Sequence, residues 1–502
     1  MTAVTTTTAD TFRPALHYAA RNTWLNDPNG LIHHAGVYHL YYQNNPFGNV
    51  HGNLSWGHAT STDLLTWTEH PVAIACDDDE EIFSGSVVFD KLNTSGFGTG
   101  TTPPLVAIYT SAYRQGSAHP GIQAQSLAYS LDGGYTWIKY SGNPVVDRGS
   151  ANFRDPKVFR YDGDGGSYWV MVAVEAQDFK VVFYKSHDLK SWELLSSFGP
   201  ANATGGEWEC PDLFPLPIDG DPDNLKWVLI VNLNPGGPNN GSAGQYFVGN
   251  FDGTKFTSAS TVTEGLQDPA RLAEYQWLDW GRDYYAAVSF SDAPDNRRLM
   301  IGWMNNWEYA NKIPTSPWRS PMSLVREVSL RTIEGNLRMV QQVAGDLTSL
   351  REKGPSFSLE AVEISDGQHV LDGAAGSVQR IDLSFAPGNA EEFGIVVRGN
   401  GVEGTRIGIR PTEGSIIVDR RESGQTDFHG SFASIDTAPI QTRNGSYELT
   451  IFVDRCSVEV FGQEGQVTLT ELIFPSSSSS GVSLYAVGGT AIANKLSVTQ
   501  YA

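Results

Sequence analysis

Three acidic residues stand in short strings rich in Pro, Gly, Asn or Arg, residues that can hold a carboxyl group at fixed geometry. Asp27 lies in Trp24-Leu25-Asn26-Asp27-Pro28-Asn29-Gly30. Pro28 fixes φ and Gly30 permits φ > 0, which predicts a rigid turn, and a rigidly held carboxylate suits a nucleophile. The plainer alternative is that Asp27 only stabilises the turn. Asp155 lies in Asn152-Phe153-Arg154-Asp155-Pro156, where the adjacent guanidinium favours an ionised carboxylate. A buried ion pair at a strand end accounts for that string equally well. Glu209 lies in Glu207-Trp208-Glu209-Cys210-Pro211-Asp212. Trp208 and Cys210 offer apolar surroundings that raise a carboxyl pKa and keep the group an acid. The three together suit scission of a glycosidic bond. That chemistry needs one carboxylate to attack or stabilise and one carboxylic acid to protonate the leaving oxygen.

These acids must be carried to one place by a β-rich scaffold. Ser61-Thr62-Asp63-Leu64-Leu65-Thr66-Trp67 reads as a turn ending in Trp. Ser130 to Trp137 and Ser186 to Trp192 repeat it, and Asn250 to Phe256 is a weaker copy. Asp and Gly supply the tight turn, and the aromatic restarts a strand. A repeat of this length fits one four-stranded blade, and about five blades fit residues 15–345. The alternative is a set of unrelated hairpins in a sandwich. On this count the three acids fall in the first, second-to-third and third repeats, and a propeller's central funnel would bring them together. Gln341 to Pro355 is polar, shows no strand pattern and reads as a short helix or linker. From Ser356 to residue 502 short alternating strands such as Val378 to Phe385 and Tyr447 to Val453 predict a β-sandwich.

Composition agrees with an all-β chain. The 502 residues are 40% hydrophobic, 11% aromatic and only 18% charged, with 52 Gly. A net charge of −22 repels phosphate backbones and anionic membranes, so neither nucleic acid nor membrane is an expected partner. A neutral sugar suits this balance. Cys76, Cys210 and Cys456 are far apart, and no metal-ligand spacing or disulfide framework is visible, so no metal site is expected. His33-His34 reads as a surface pair, and the acidic run Asp77 to Glu81 as a solvated loop rather than a calcium site. The N-terminal stretch is Thr-rich without an apolar signal core, and five Asn-x-Ser/Thr sites, at Asn53, Asn93, Asn202, Asn240 and Asn444, favour an extracellular mature form over a cytoplasmic one.

Several strings, in order, resemble glycoside hydrolase family thirty-two, the invertases, inulinases, levanases and fructan fructosyltransferases. They are Trp24 to Gly30, Tyr42-Gln43-Asn44-Asn45-Pro46, Ser55-Trp56-Gly57-His58-Ala59, Phe83-Ser84-Gly85-Ser86, Phe153 to Pro156 and Trp208 to Pro211. Gly302 to Trp307, Pro317 to Ser320 and, in the second domain, Asp454 to Phe461 continue the match. Asn232 to Pro238 is most like the exo-inulinase and levanase branch. The resemblance implies a five-bladed β-propeller over residues 15–345, followed by a C-terminal β-sandwich over 356–502. It implies Asp27 as nucleophile, Asp155 as transition-state stabiliser and Glu209 as acid/base. Asn26, Gln43, Phe83, Ser84, Arg154 and Trp303 match residues that line the fructosyl pocket. One departure stands out: His51 occupies the place before Gly52-Asn53 where the family pattern has a Trp, which implies either an altered pocket wall tilted towards fructans or a gap filled by another aromatic such as Phe47.

The implied activity is retaining cleavage of terminal β-fructofuranosyl residues from fructans of levan or inulin type and from sucrose, with no cofactor. A fructosyltransferase would use the same acids with a sugar hydroxyl in place of water. A non-catalytic carbohydrate-binding propeller and an arabinan-cleaving propeller are the readings from other classes.

Overall fold

A computed structural model describes residues 10–163, 166–260, 269–345 and 356–501. The fold is all-β. Five four-stranded antiparallel blades occupy the first two-thirds, the fourth and fifth joined into one sheet by a parallel bridge between Ile218 and Leu330. Their innermost strands are Trp24–His34, Glu80–Phe89, Phe153–Gly163, Glu207–Ile218 and Tyr285–Ser289 for blades I to V. Each innermost strand contacts that of the next blade, and the fifth returns to the first, so the ring closes. The outer strand of blade V, Asn336–Val343, pairs with Arg326–Ile333. Two six-stranded sheets follow from Phe357 onward and enclose one apolar core, so the second unit is a β-sandwich.

The Asp-aromatic turns lie between the third and fourth strands of blades I to IV. Their recurrence has a local cause: each Asp carboxylate caps backbone N–H groups two to four residues ahead. Asp63 Oδ1 accepts from Leu65 and Thr66 at 2.9 and 2.7 Å, and Asp188 Oδ1 from Lys190 and Ser191 at 2.9 and 2.7 Å. The same ties hold Asp132 and Asp252.

Several expectations change. Gln341 to Val343 is strand, because it completes the ladder of blade V; residues 346–355 of the expected linker lie outside the described residues. Glu209 belongs to blade IV, not to a third repeat, since the acids open a blade whereas the aromatic turns close one. His33 and His34 are half-buried, packed on Tyr38 and Phe89. Glu80 and Glu81 begin the innermost strand of blade II. Glu80 is paired with Lys139 at 2.6 Å, so that end of the acidic run is not a solvated loop.

The two units are joined by charge buried between them. Arg326 of the propeller donates to Glu459 of the sandwich at 2.6 Å and to Asp279 at 2.9 Å. His17, in the segment before blade I, bridges Asp454 and Glu459 of the sandwich at 2.8 Å each. The two carboxylates hold the His17 imidazole protonated, pushed up to about 9 although burial opposes it. Around these pairs Met304, Ile313 and Trp318 share an apolar cluster with Phe432, Leu472 and Phe474.

A chain ending at residue 345 should therefore aggregate, because it exposes this apolar face and leaves Arg326 and His17 without their carboxylates. Size-exclusion chromatography with activity measured on the eluate checks it. A monodisperse, fully active fragment is the contrary result.

Candidate active site

The site is built from a defect repeated in every blade. Between Leu25 and Pro28 three steps on the innermost strand oppose two on its neighbour, from Asn44 to Tyr42. The same one-residue bulge falls between Ile82 and Gly85, between Arg154 and Lys157, between Glu209 and Asp212, and between Tyr285 and Val288. The residues inside these bulges are Asn26-Asp27, Phe83-Ser84, Asp155-Pro156, Cys210-Pro211 and Ala286-Ala287. Asp155, Cys210 and Ala286 have φ of 64°, 44° and 52°, a region that L residues adopt only when held there. The string around Asp27 is thus a bulged strand and not the turn expected from Pro28 and Gly30. Gly30 itself has φ 55°, and a Cβ there would meet Tyr41, Trp56 and Val87 within 2.9 Å.

The bulges bring the three acids together through shared partners. Ser84 donates to Asp27 Oδ2 at 2.7 Å and Asn26 Nδ2 to Oδ1 at 3.0 Å. Asn26 is itself oriented by Trp24 Nε1, which donates to its Oδ1 at 2.7 Å. The Cys210 N–H donates to Asp155 Oδ2 at 2.9 Å, while its Sγ lies 3.4 Å from Asp27 Oδ2 and 3.7 Å from Asp155 Oδ2. Arg154 reaches Glu209 Oε1 through Nε at 3.3 Å and Nη2 at 3.1 Å, and also binds Glu207. Its Nε is 3.9 Å from Asp155, so the expected Arg-Asp pair is secondary to the Arg154–Glu209 pair. Tyr285 donates to Glu209 Oε2 at 2.5 Å.

The remaining expected residues form an outer ring. Trp303 is buried and packs near Trp24 at 6.0 Å and Trp307 at 4.8 Å. His51 stands edge-on to Trp24 at 5.7 Å and to Trp307 at 5.0 Å, and its backbone N–H binds Asn311 Oδ1 at 3.0 Å. Partial desolvation beside these rings lowers the His51 pKa, with Asp27 and Glu81 opposing, although the residue keeps an exposed face. Phe47 is 78% exposed and does not take the place of the missing indole. Gln43 donates to the Ile82 carbonyl at 3.0 Å, and half-buried Phe83 accepts from Trp56 at its own carbonyl at 3.0 Å. Both brace the bulge of blade II.

Sequence reasoning missed Tyr285, Glu207 as a competitor for Arg154, and Trp307. Only Trp307 carried a signal, in Gly302 to Trp307. It also misplaced Trp208, whose indole donates to the Ala203 carbonyl at 2.9 Å and packs between blades III and IV, away from the Glu209 carboxyl. Strand alternation sends neighbouring side chains to opposite faces.

Burial raises the pKa of Glu209; Arg154 opposes, Asp27 adds to the rise and the Tyr285 hydrogen bond lowers it. Burial pushes Asp155 up to about 7, against Arg154 and with Glu209 and Asp27 adding to the rise. One guanidinium among these acids leaves a proton shared in the cluster near neutral pH, as general acid catalysis requires.

Residues 17–342 match the model for the glycosyl hydrolases family 32 N-terminal domain, and residues 346–500 match that for its C-terminal domain. The chain belongs to glycosyl hydrolase family 32. It is a glycosidase. It is 46% identical to a levanase of Bacillus subtilis over 95% of this chain and 68% of that protein. It is 44% identical to an extracellular exo-inulinase of Aspergillus ficuum over 95% of this chain and 92% of that one. Among solved structures, the exo-inulinase of Aspergillus awamori superposes with a TM-score of 0.91 at 41% identity, covering 98% of both chains. Likeness of this extent places the five-bladed propeller and the sandwich of this family-32 chain in one order with those relatives.

Tyr285 supplies a pH test. Its hydrogen bond favours the ionised form of Glu209, so removing it raises that pKa further. A hydrogen bond to a charged group is worth about 1.5–3 kcal/mol, or about one to two pH units. In Tyr285→Phe the alkaline limb of kcat/KM should move up by about that amount, since the acid stays protonated to higher pH. An unmoved limb in a pH–rate profile would contradict the assignment of that limb to Glu209.

Proposed function

We propose that this chain is an extracellular retaining β-fructofuranosidase that releases terminal fructose from levan- or inulin-type fructans and from sucrose. Its catalytic domain is the propeller of residues 15–345, and residues 356–502 are the sandwich domain. The observation that carries the reading is the joining of Asp27, Asp155 and Glu209 through Cys210 and Arg154, with Ser84 and Asn26 fixing both oxygens of Asp27. The levanase and exo-inulinase relatives support the substrate class.

Asp27 accepts from Ser84 at 2.7 Å and from Asn26 at 3.0 Å, which orients its carboxylate to attack fructosyl C2. As the C2–oxygen bond breaks, the Glu209 proton passes to the leaving oxygen. Asp155 is pushed higher than its role as a stabilising anion needs. Fructosyl hydroxyls donating to Asp155 favour its ionised form and leave the shared proton on Glu209. Its negative charge then supports the oxocarbenium-like transition state. In the second step Glu209 takes a proton from water, water oxygen bonds to C2, and Asp27 departs as carboxylate. No step needs a metal or organic cofactor. Gln43, Phe83 and Trp303 shape the fructosyl pocket, and His51 leaves its mouth more polar than an indole would.

Asp27→Asn and Glu209→Gln should each lower kcat on sucrose and inulin by several orders of magnitude while leaving the fold intact. Activity within about tenfold of wild type would remove that residue from its role. Retention has a separate readout: NMR should detect β-fructose as the first product, and initial α-fructose would overturn the two-step mechanism.

A further inference from the structure

The segment that follows Trp303 serves the site twice. Trp307 stacks on Trp24 at 6.0 Å and on Trp303 at 4.8 Å, and Asn311 holds the His51 backbone at 3.0 Å. Yet its one regular element is the short turn Ala310–Lys312. Propeller neighbours tie it at Met304, whose N–H donates to the Pro321 carbonyl at 3.0 Å, at Asn306, which donates to the Arg282 carbonyl at 2.7 Å, and at Trp307, whose N–H donates to Ser242 at 3.2 Å. An aromatic wall needs close support, since a misplacement of ~1 Å can cost about a hundredfold.

Further ties come from the sandwich. Tyr309 is buried, and its hydroxyl donates to Asp283 at 2.7 Å and accepts from Arg420 Nη2 at 2.8 Å. Arg420 is a sandwich residue, wholly buried, and its Nη1 reaches Asp283 at 2.6 Å and Glu471 at 2.9 Å. Its guanidinium lies 4.2 Å from the centroid of the Phe432 ring, and Phe432 in turn stands edge-on to Tyr309 at 5.3 Å. A second tie runs from Glu308 to Arg282 at 2.6 Å and on to the carbonyl of Ser431. Arg420 finds its counter-charges in Asp283 and Glu471 without Tyr309, so the fork to the hydroxyl adds nothing to charge balance. It locates the segment.

We infer that Arg420 is a positioning residue for the active site, acting through Tyr309, so that the β-sandwich supplies part of the support for the Trp303–Trp307 wall and the His51 loop. This rests on the pocket being a fructoside site, so its test carries one arm that does not depend on turnover. Tyr309→Phe removes the shared hydroxyl but keeps the ring and the Arg420–Asp283 pair. In the full-length variant, amide hydrogen exchange over 304–312 should quicken at least about tenfold, the scale of losing the hydroxyl's bonds to Asp283 and Arg420. KM for sucrose and inulin should rise by a similar factor, about tenfold, with kcat changed less. Thr405→Val deletes another buried hydroxyl, bonded to Ser423 at 2.7 Å within the sandwich. It should lower the melting temperature and leave both readouts unmoved. Unchanged exchange over 304–312 in Tyr309→Phe overturns the inference whatever the substrate. Faster exchange with unchanged KM, on a substrate the wild type cleaves, also overturns it. A wild type inactive on every β-fructoside refutes the reading of the pocket instead, and the exchange arm still decides the inference.

Discussion

A regular β-strand turns successive side chains to opposite faces, so at most alternate residues of a blade's innermost strand can face a common axis. An extra residue inserted at the same level of each strand breaks that alternation locally. All five innermost strands carry such an insertion, and the inserted pairs include Asn26-Asp27, Phe83-Ser84, Asp155-Pro156 and Cys210-Pro211. The fifth places Ala286 at φ 52° beside Tyr285, which binds Glu209. Everything the pocket does depends on these bulges. Their cost, unpaired ladder positions and left-handed φ at three non-glycine residues, is borne by a ring of five blades closed through contacts between the innermost strands.

Crowding carboxyls at the bulges sets the electrostatics. Glu209, Asp155 and Glu207 lie about Arg154, and Asp27 is held by neutral donors alone. With less positive charge than negative, the cluster keeps a proton that isolated carboxyls would lose below pH 5. The same shortage explains why Cys210 remains a thiol: burial and the flanking acids push its pKa well up, so it serves as a hydrogen-bond donor and packing atom. Carboxyls in one cluster are tuned apart by their neighbours.

The interface between propeller and sandwich follows another economy. Arg326, Arg420 and His17 are each buried with two or more carboxylates, at least one of them across the domain boundary. Paired charges of this kind contribute little net stability but penalise any arrangement that separates them, which fixes the mutual orientation of the units. That orientation matters to the pocket, because the segment bearing Trp307 lies between the two.

Local chemistry was legible in the sequence because it acts over a few residues. An Asp that caps N–H groups two to four residues ahead marks the last turn of blades I to IV, and alternating patterns mark the sandwich, so the all-β class was legible and the spacing of the turns left room for about five blades. The strings around Asp27, Asp155 and Glu209 likewise pointed to paired-carboxylate chemistry. What stayed hidden was every relation made by closure. Tyr285 reaches Glu209 across 76 residues and Arg154 across 55, and no spacing rule predicts either. Pro28 and Gly30 suggested a turn, since the same backbone angles serve a turn and a bulge, and only pairing with Val37–Asn45 makes it the latter. Trp208 adjoins Glu209 in sequence yet faces the opposite side of the strand. The sequence by itself determined which residues could act and what scaffold would carry them. Tertiary structure alone decided that Asp155 and Glu209 hold protons more tightly than free carboxyls do, because that depends on burial and on charges brought near only when five blades close into a ring.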